Sequence, residues 1–236
     1  MSFLSYFRAA AVAAALALSA TPAMAQSLST TYAGGNSQDG NLFDLTPSTT
    51  LTINSFDINA EGAGQTLGVE VYWRSGTVEG FQDTATGWTL MGTAQVVSQG
   101  EGTATHVPIG GLNMQAGTTY GIYLRVVENG SFNVAYTDGG PTVFANADLT
   151  LKTFYGKANG DSFMSGTTFS PRQWNGTVYY TKTQTCASEG YTSTKLEWCK
   201  NICERGLTGA TLDIWIHRWI TRYRQLPYCA VENVQG

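Results

Sequence analysis

The sequence predicts a mainly β protein: an antiparallel β-sandwich, jelly-roll or Ig-like, followed by a small disulfide-stapled α-helical hairpin. Three observations carry this. From Gln26 to Lys182 apolar residues recur with period two, in short runs divided by turn dipeptides. From Thr194 to Leu226 the spacing changes to that of a helix. All four cysteines lie in the last 51 of 236 residues. An even cysteine count in an exported chain reads as two disulfides.

Export is expected from the N-terminus. Met1–Arg8 carries one cation, Ala9–Ala20 is apolar, and Ala23-Met24-Ala25 is a signal-peptidase pattern. The apolar run is too short to span a bilayer, which takes about 20 residues. Residues 1–25 are therefore expected as a signal peptide, 26–182 as a β-sandwich domain and 186–236 as a cysteine-containing helical module. No later run is long enough for a membrane span, so a periplasmic or extracellular protein is expected.

Charged residues are 13% of the chain, with 27 glycines, a composition of β proteins rich in turns. Residues 26–185 carry 6 Lys+Arg against 12 Asp+Glu (−6), and residues 186–236 carry 6 against 5 (+1). An acidic main domain excludes nucleic acid as the expected partner, because phosphate backbones need clustered cations.

Roughly eight or nine strands are expected. Leu51–Ala60 sets Phe56, Ile58 and Ala60 on one face. Leu67, Val69, Val71 and Trp73 oppose Glu70, Tyr72 and Arg74. Trp88, Leu90, Ala94 and Val96 share a face, as do Tyr120, Ile122, Leu124 and Val126. Phe132–Tyr136, Leu149 with Leu151, and Val178 with Tyr180 complete the set. Turn residues between the runs include Gly34-Gly35, Asp39-Gly40, Ser75-Gly76, Asn129-Gly130 and Asp138-Gly139-Gly140, which accept the φ that tight turns need.

Four segments carry a resemblance: Asn41-Leu42-Phe43-Asp44-Leu45-Thr46; Val69–Gly76 with Gly80-Phe81; Gly87-Trp88-Thr89-Leu90; and Phe169–Tyr180, FSPRQWNGTVYY. Over about residues 36–182 the chain resembles an uncharacterised β-sandwich module of secreted and surface proteins of environmental bacteria. The resemblance implies a fold and a location and transfers no active site. Within the last segment Pro171 pushes Ser170 towards extended backbone, and Asn175-Gly176 is a tight-turn pair. Arg172 is expected to pair with an acidic loop residue such as Asp44. Tyr72, Arg172 and Trp174 are the candidate ligand-contact residues, with Tyr72, Trp174 and Tyr179 expected to expose their rings.

In the tail, Thr194 with Glu197 forms a capping box. Leu196, Trp198, Cys199, Ile202 and Cys203 then share one side of a helix that Gly206 stops. A second helix begins at Thr208 or Thr211, follows Leu212, Trp215, Ile216, Trp219, Ile220, Tyr223 and Leu226, and ends at Pro227. Cys199 and Cys203, four apart on one helix, must each bond outside it. An antiparallel return favours Cys199–Cys229 with Cys186–Cys203; the other pairing stays open.

No catalytic motif stands out. His106 and His217 lie in different modules, and the metalloprotease, nucleophile-elbow and phosphate-loop patterns are missing. No cofactor is expected. The C-x3-C spacing suits disulfides better than a zinc site. Asp57 and Glu70, outward on neighbouring strands, are the one carboxylate pair suited to a glycosidase. Asp39, Asp44, Asp138, Asp148 and Asp161 offer oxygen ligands for calcium, without a dense motif. His217, Arg218, Arg222 and Arg224 line the second helix and are expected to face water, although a basic amphipathic helix also suits an anionic membrane. Asn129 and Asn175 head glycosylation triplets. The expectation is an exported, non-catalytic binding or adhesion-type module for carbohydrate or a partner protein. A secreted polysaccharide hydrolase and a structural envelope component are the alternatives.

Overall fold

A computed structural model describes residues 25–127, 132–140, 142–160 and 162–230. The turn and triplet at Asn129, the carboxylate of Asp161, residues 1–24 of the expected signal and the tail beyond residue 230 lie outside the described residues.

The strands are β1 (Gln26–Ser29), β2 (Asn36–Gln38), β3 (Gly40–Pro47), β4 (Leu51–Asn59), β5 (Thr66–Ser75), β6 (Thr89–Val97), β7 (Ala104–Val107), β8 (Asn113–Met114), β9 (Tyr120–Val127), β10 (Val134–Asp138), β11 (Val143–Ala145), β12 (Leu149–Lys157), β13 (Thr168–Phe169), β14 (Arg172–Trp174) and β15 (Gly176–Lys182). More segments form than the sequence pattern suggests, because several are two- to four-residue edge pieces. They build a five-stranded sheet ordered β1-β15-β4-β7, with β8 also on β4, and a seven-stranded sheet ordered β11-β12-β3-β9-β5-β6, with β13 on β12. A three-stranded sheet, β14-β10-β2, adjoins them. All named pairings are antiparallel.

The predicted inward faces meet in one core. Phe56, Ile58, Val178 and Tyr180 from the five-stranded sheet pack with Phe43, Leu45, Val69, Val71, Ile122 and Leu124 from the seven-stranded one. One face assignment fails. Ala94 and Val96 pack in this core, but Leu90 is 48% exposed and Trp88 joins a cluster on the outer side. The register of β6 on β5 slips between Val71 and Tyr72, so Leu90 rather than Met91 opposes Tyr72. One extra residue in a strand sends everything beyond it to the opposite face.

Trp174 is not exposed. Its ring is fully buried, stacked 4.3 Å from Phe43 and edge-on to Phe56 at 6.5 Å, between the two large sheets. Asn175-Gly176 makes no hairpin turn. Asn175 is the single residue between β14 and β15, where the chain steps from the small sheet into the five-stranded one. Its buried side chain accepts from the Gly34 N–H at 2.8 Å and donates to the Gln173 carbonyl at 3.2 Å, which removes it from use as a glycan acceptor. A Cβ on Gly176 would collide with the Trp174 ring and the Asp57 carbonyl oxygen, so glycine permits the close approach. The Ser170–Pro171 bond is cis.

In the tail, α1 (Ser193–Cys203) and α2 (Gly209–Tyr223) form the expected hairpin, followed by a 3-10 turn at Tyr228–Ala230. Its side chains form a cluster of their own around Cys186, Cys199, Ile202 and Trp219. The capping box does not form: Thr192 occupies the N-cap without a side-chain bond, and Glu197 pairs with Lys200 and Arg205. The helix also starts two residues too early for Thr194 to cap it.

The disulfides are Cys186–Cys199 and Cys203–Cys229, the pairing not favoured by the sequence reading. That reading let the chain run on along α1 after the second helix. Instead Arg224, at φ 61°, ends α2, and the chain reverses. The turn at Tyr228–Ala230 then packs on α1, bringing Cys229 to Cys203 with Cα atoms 5.5 Å apart. The loop before α1 returns Cys186 to Cys199 at 5.7 Å. The sulfurs of Cys186, Cys199 and Cys203 lie within 4.8 Å of one another, all spent in these bonds.

Candidate functional site

Strand alternation builds the outer face of the seven-stranded sheet in cross-strand rows. Gln95, Gly68 and Val127 align across β6, β5 and β9; next come Thr93, Glu70 and Arg125; then Leu90, Tyr72 and Tyr123; then Arg74 opposite Gly121. Asp44 and Leu42 continue these rows on β3.

The lower rows are roofed. Val78 and Trp88 from the loop between β5 and β6, and Phe163 and Met164 from the loop after β12, cover Leu42 and Tyr123. Asp44 tethers the first loop, accepting from Thr77 Oγ1 at 2.6 Å and Val78 N–H at 2.8 Å. Burial holds its carboxyl above the ordinary range despite those bonds. The Arg74 guanidinium bonds the Thr77 carbonyl and lies 3.4 Å from the Phe81 ring centroid. Lys157, fully buried, ties both loops: its Nζ reaches Asp83 Oδ1 at 2.9 Å, the Gly166 carbonyl at 2.7 Å and Thr168 Oγ1 at 2.9 Å. Asp83 has its own burial working to raise its pKa, but the Thr168 and Lys157 hydrogen bonds outweigh it and hold the carboxyl below the usual range.

The upper rows are open. Gly68, Val69, Glu70, Thr93, Ala94, Gln95 and Val127 line a shallow groove of about 450 Å³. Gly68 makes it possible: a Cβ there would stand 2.8 Å from the Val127 carbonyl and 3.3 Å from Gln95 Nε2, and would fill the trough. Tyr72 stands in the next row, opposite Leu90 and beyond the residues that line the groove. Its ring packs 4.4 Å from Phe163, and its hydroxyl donates to Glu70 Oε2 at 2.7 Å. Arg125 holds the same carboxylate oxygen through Nε and Nη2 at 2.9 and 2.8 Å, and its guanidinium lies 5.2 Å from the Phe163 ring. Burial, then the bond to Glu70, raises the Tyr72 pKa, and burial raises Tyr123 strongly. The groove thus has a pinned carboxylate, and amide and hydroxyl groups of Gln95 and Thr93 facing water.

The other sequence candidates lie elsewhere. Arg172 pairs with Asp138, Nε to Oδ1 at 2.8 Å, and stands over Tyr136 and Phe169; Asp44 is on another sheet and is already engaged. Tyr72, Arg172 and Trp174 therefore do not converge. Asp57 and Glu70 occupy opposite sheets, β4 and β5, with separate partners, so they flank no common cleft. Asp39, Asp138 and Asp148 are hydrogen-bonded at three separate places. Gln95, Thr93 and Gly68 went unnoticed in the sequence because small polar strand residues carry no motif; the outward position of Glu70 and Tyr72 was the available signal.

On the five-stranded sheet a second polar cluster forms. His106 Nδ1 lies 2.9 Å from Asp57 Oδ1, and the Tyr179 hydroxyl donates to Asp57 Oδ2 at 2.8 Å. The bond to Asp57, then burial, pushes the Tyr179 pKa up to about 12. In an ultraviolet titration, one tyrosine should ionise near this value, and Asp57→Asn should move it down towards 10. Because the folded form holds this proton more tightly than the unfolded chain, Tyr179 makes stability fall as pH rises from 10 to 12. A spectrum unchanged by Asp57→Asn would remove the assignment.

No family model matches the chain, and no curated protein matches it. Among solved structures it is similar to the VP2 subviral particle of infectious bursal disease virus, at 13% identity over 69% of this chain and 35% of that one, with a TM-score of 0.20. It is also similar to the structure of the Gx strain of the same virus, at 10% identity over 90% of this chain and 53% of that one, with a TM-score of 0.23. The chain spans about a third and about half of those two chains.

Proposed function

We propose that this protein is an exported, non-catalytic binding module that holds a carbohydrate chain on the outer face of its seven-stranded sheet. The observation that carries the reading is the open groove over Gly68, edged by Glu70, Thr93 and Gln95, with Tyr72 in the adjoining row holding the Glu70 carboxylate. Planar amide and carboxylate groups pair with sugar hydroxyls. The pinned geometry of Glu70, Tyr72 and Arg125 lowers the ordering cost of binding. Two disulfides fit an oxidising compartment, in keeping with the export signal.

The test is a glycan-array screen of the exported, disulfide-bonded protein. A defined set of glycans is expected to bind, with Tyr72→Ala and Gln95→Ala each weakening binding about tenfold, or about 1.4 kcal/mol. Silence across the array, or binding untouched by both substitutions, would sink the proposal.

A further inference from the structure

The helical tail carries a cluster of basic and aromatic side chains that shares no residue with the sheet groove. Arg218 and Arg222 are one helical turn apart on α2, and His217 and Thr221 precede each by one residue. The four side chains form a block on one side of the helix, since residues four apart are surface neighbours. Trp198 of α1 closes the block, and together these five residues line a cleft of about 500 Å³.

Both guanidiniums lie over aromatic rings. Arg218 is 5.0 Å from the Trp215 ring centroid, and Arg222 is 5.8 Å from those of Trp198 and Tyr223. Trp198 and Trp215 meet edge-on at 6.2 Å, so the floor is continuous. A guanidinium seated by its face on an indole keeps its N–H edge for acceptors in its own plane.

Neither arginine makes an ion pair among the described residues. Two of the tail's carboxylates are committed elsewhere: Glu197 to Lys200 and Arg205, and Glu204 to the Cys186 N–H at 2.7 Å. Asp213 stands more than one turn before Arg218, towards the start of α2. A helix favours cations at its C-terminal end, and Arg224 at the C-cap satisfies that preference. The dipole also favours Arg222, in the last turn of α2, but it does not account for Arg218 one turn earlier or for the aromatic floor beneath both.

We infer that this cleft binds a phosphoryl group. Arg218 and Arg222 donate their N–H edges to its non-bridging oxygens, His217 and Thr221 flank it, and Trp198 packs against the carbon skeleton that bears it. A tetrahedral anion with several acceptor oxygens engages two forks at once, whereas a single carboxylate engages one. The phosphoryl group comes either from a small soluble phosphate ester or from a lipid headgroup at a bilayer surface.

The exported, oxidised protein is titrated at low salt with glycerol phosphate, followed by calorimetry. In parallel it is sedimented with vesicles of phosphatidylglycerol in phosphatidylcholine and with pure phosphatidylcholine vesicles. Binding in the first arm identifies a soluble ester; binding only to the anionic vesicles identifies the bilayer. In either case Arg218→Gln and Arg222→Gln should each weaken binding about tenfold, and Arg224→Gln should stay within about twofold. Lysine at 218 and 222 keeps the charge but loses the fork, and should still weaken binding. Far-ultraviolet spectra establish that the variants retain both helices. Absence of binding in both arms, or equal losses for Arg224→Gln and the two cleft variants, would overturn the inference.

Discussion

Trp174→Ala should cost about 3–5 kcal/mol of folding stability, the range for removing a large buried aromatic. The ring is fully buried and bridges the two sheets, stacked on Phe43 of β3 and set edge-on to Phe56 of β4. Its loss removes apolar contact from both sheets at once. The neighbours cannot collapse into the space, because Gly176 and the Asp57 carbonyl hold the backbone beside it. The indole N–H has no hydrogen-bond partner among the described residues, so truncation strands no polar group and the cost is one of packing. Urea unfolding followed by circular dichroism measures it. Tyr72→Ala, at a half-buried ring in the row beside the groove, is the contrast and should cost under about 1.5 kcal/mol. A Trp174→Ala variant within about 1 kcal/mol of the parent would show that the ring is not a bridge of the core.

The second large effect belongs to the tail. Replacing both Cys203 and Cys229 by alanine opens a closure of 26 residues, and chain entropy puts the loss at about 3.5 kcal/mol. Cys186 with Cys199 closes only 13 residues and should lose about 3 kcal/mol. Some 45 residues with a few buried side chains have little stability to spare. The helical signal should therefore melt in the 203/229 variant while the sheet spectrum persists, since the two hydrophobic clusters share no residue. Coincident melting of helix and sheet would show instead that they unfold as one unit. The pairing has its own check: trypsin sites at Lys195, Lys200 and Arg205 separate all four cysteines. A non-reducing digest should give peptides joining Cys186 to Cys199 and Cys203 to Cys229.

The same structure separates residues whose chemistry is local from those whose surroundings are not. Leu67–Arg74 was legible in full, because strict alternation is a property of the chain: Val69 and Val71 turned inward and Glu70, Tyr72 and Arg74 outward. Leu90 was misplaced because a bulge depends on how two strands settle against each other, not on either strand's composition. Of the candidate site, Tyr72 was readable as an outward ring. The groove beside it was not, because it is a gap made by Gly68 between side chains of β6 and β9, and its lining is drawn from three strands between Gly68 and Val127.

By itself the sequence determined the mainly β class, the helical hairpin and the confinement of all cysteines to it, since periodicity and residue spacing are written along the chain. Only the tertiary structure decided which partner each cysteine took, that Trp174 faces the core, that Arg172 meets Asp138, and that Asp57 and Glu70 stand on opposite sheets. Each of these is a meeting between distant segments. Such meetings follow from where sheets cross, bulge and stack, and no single segment carries that information.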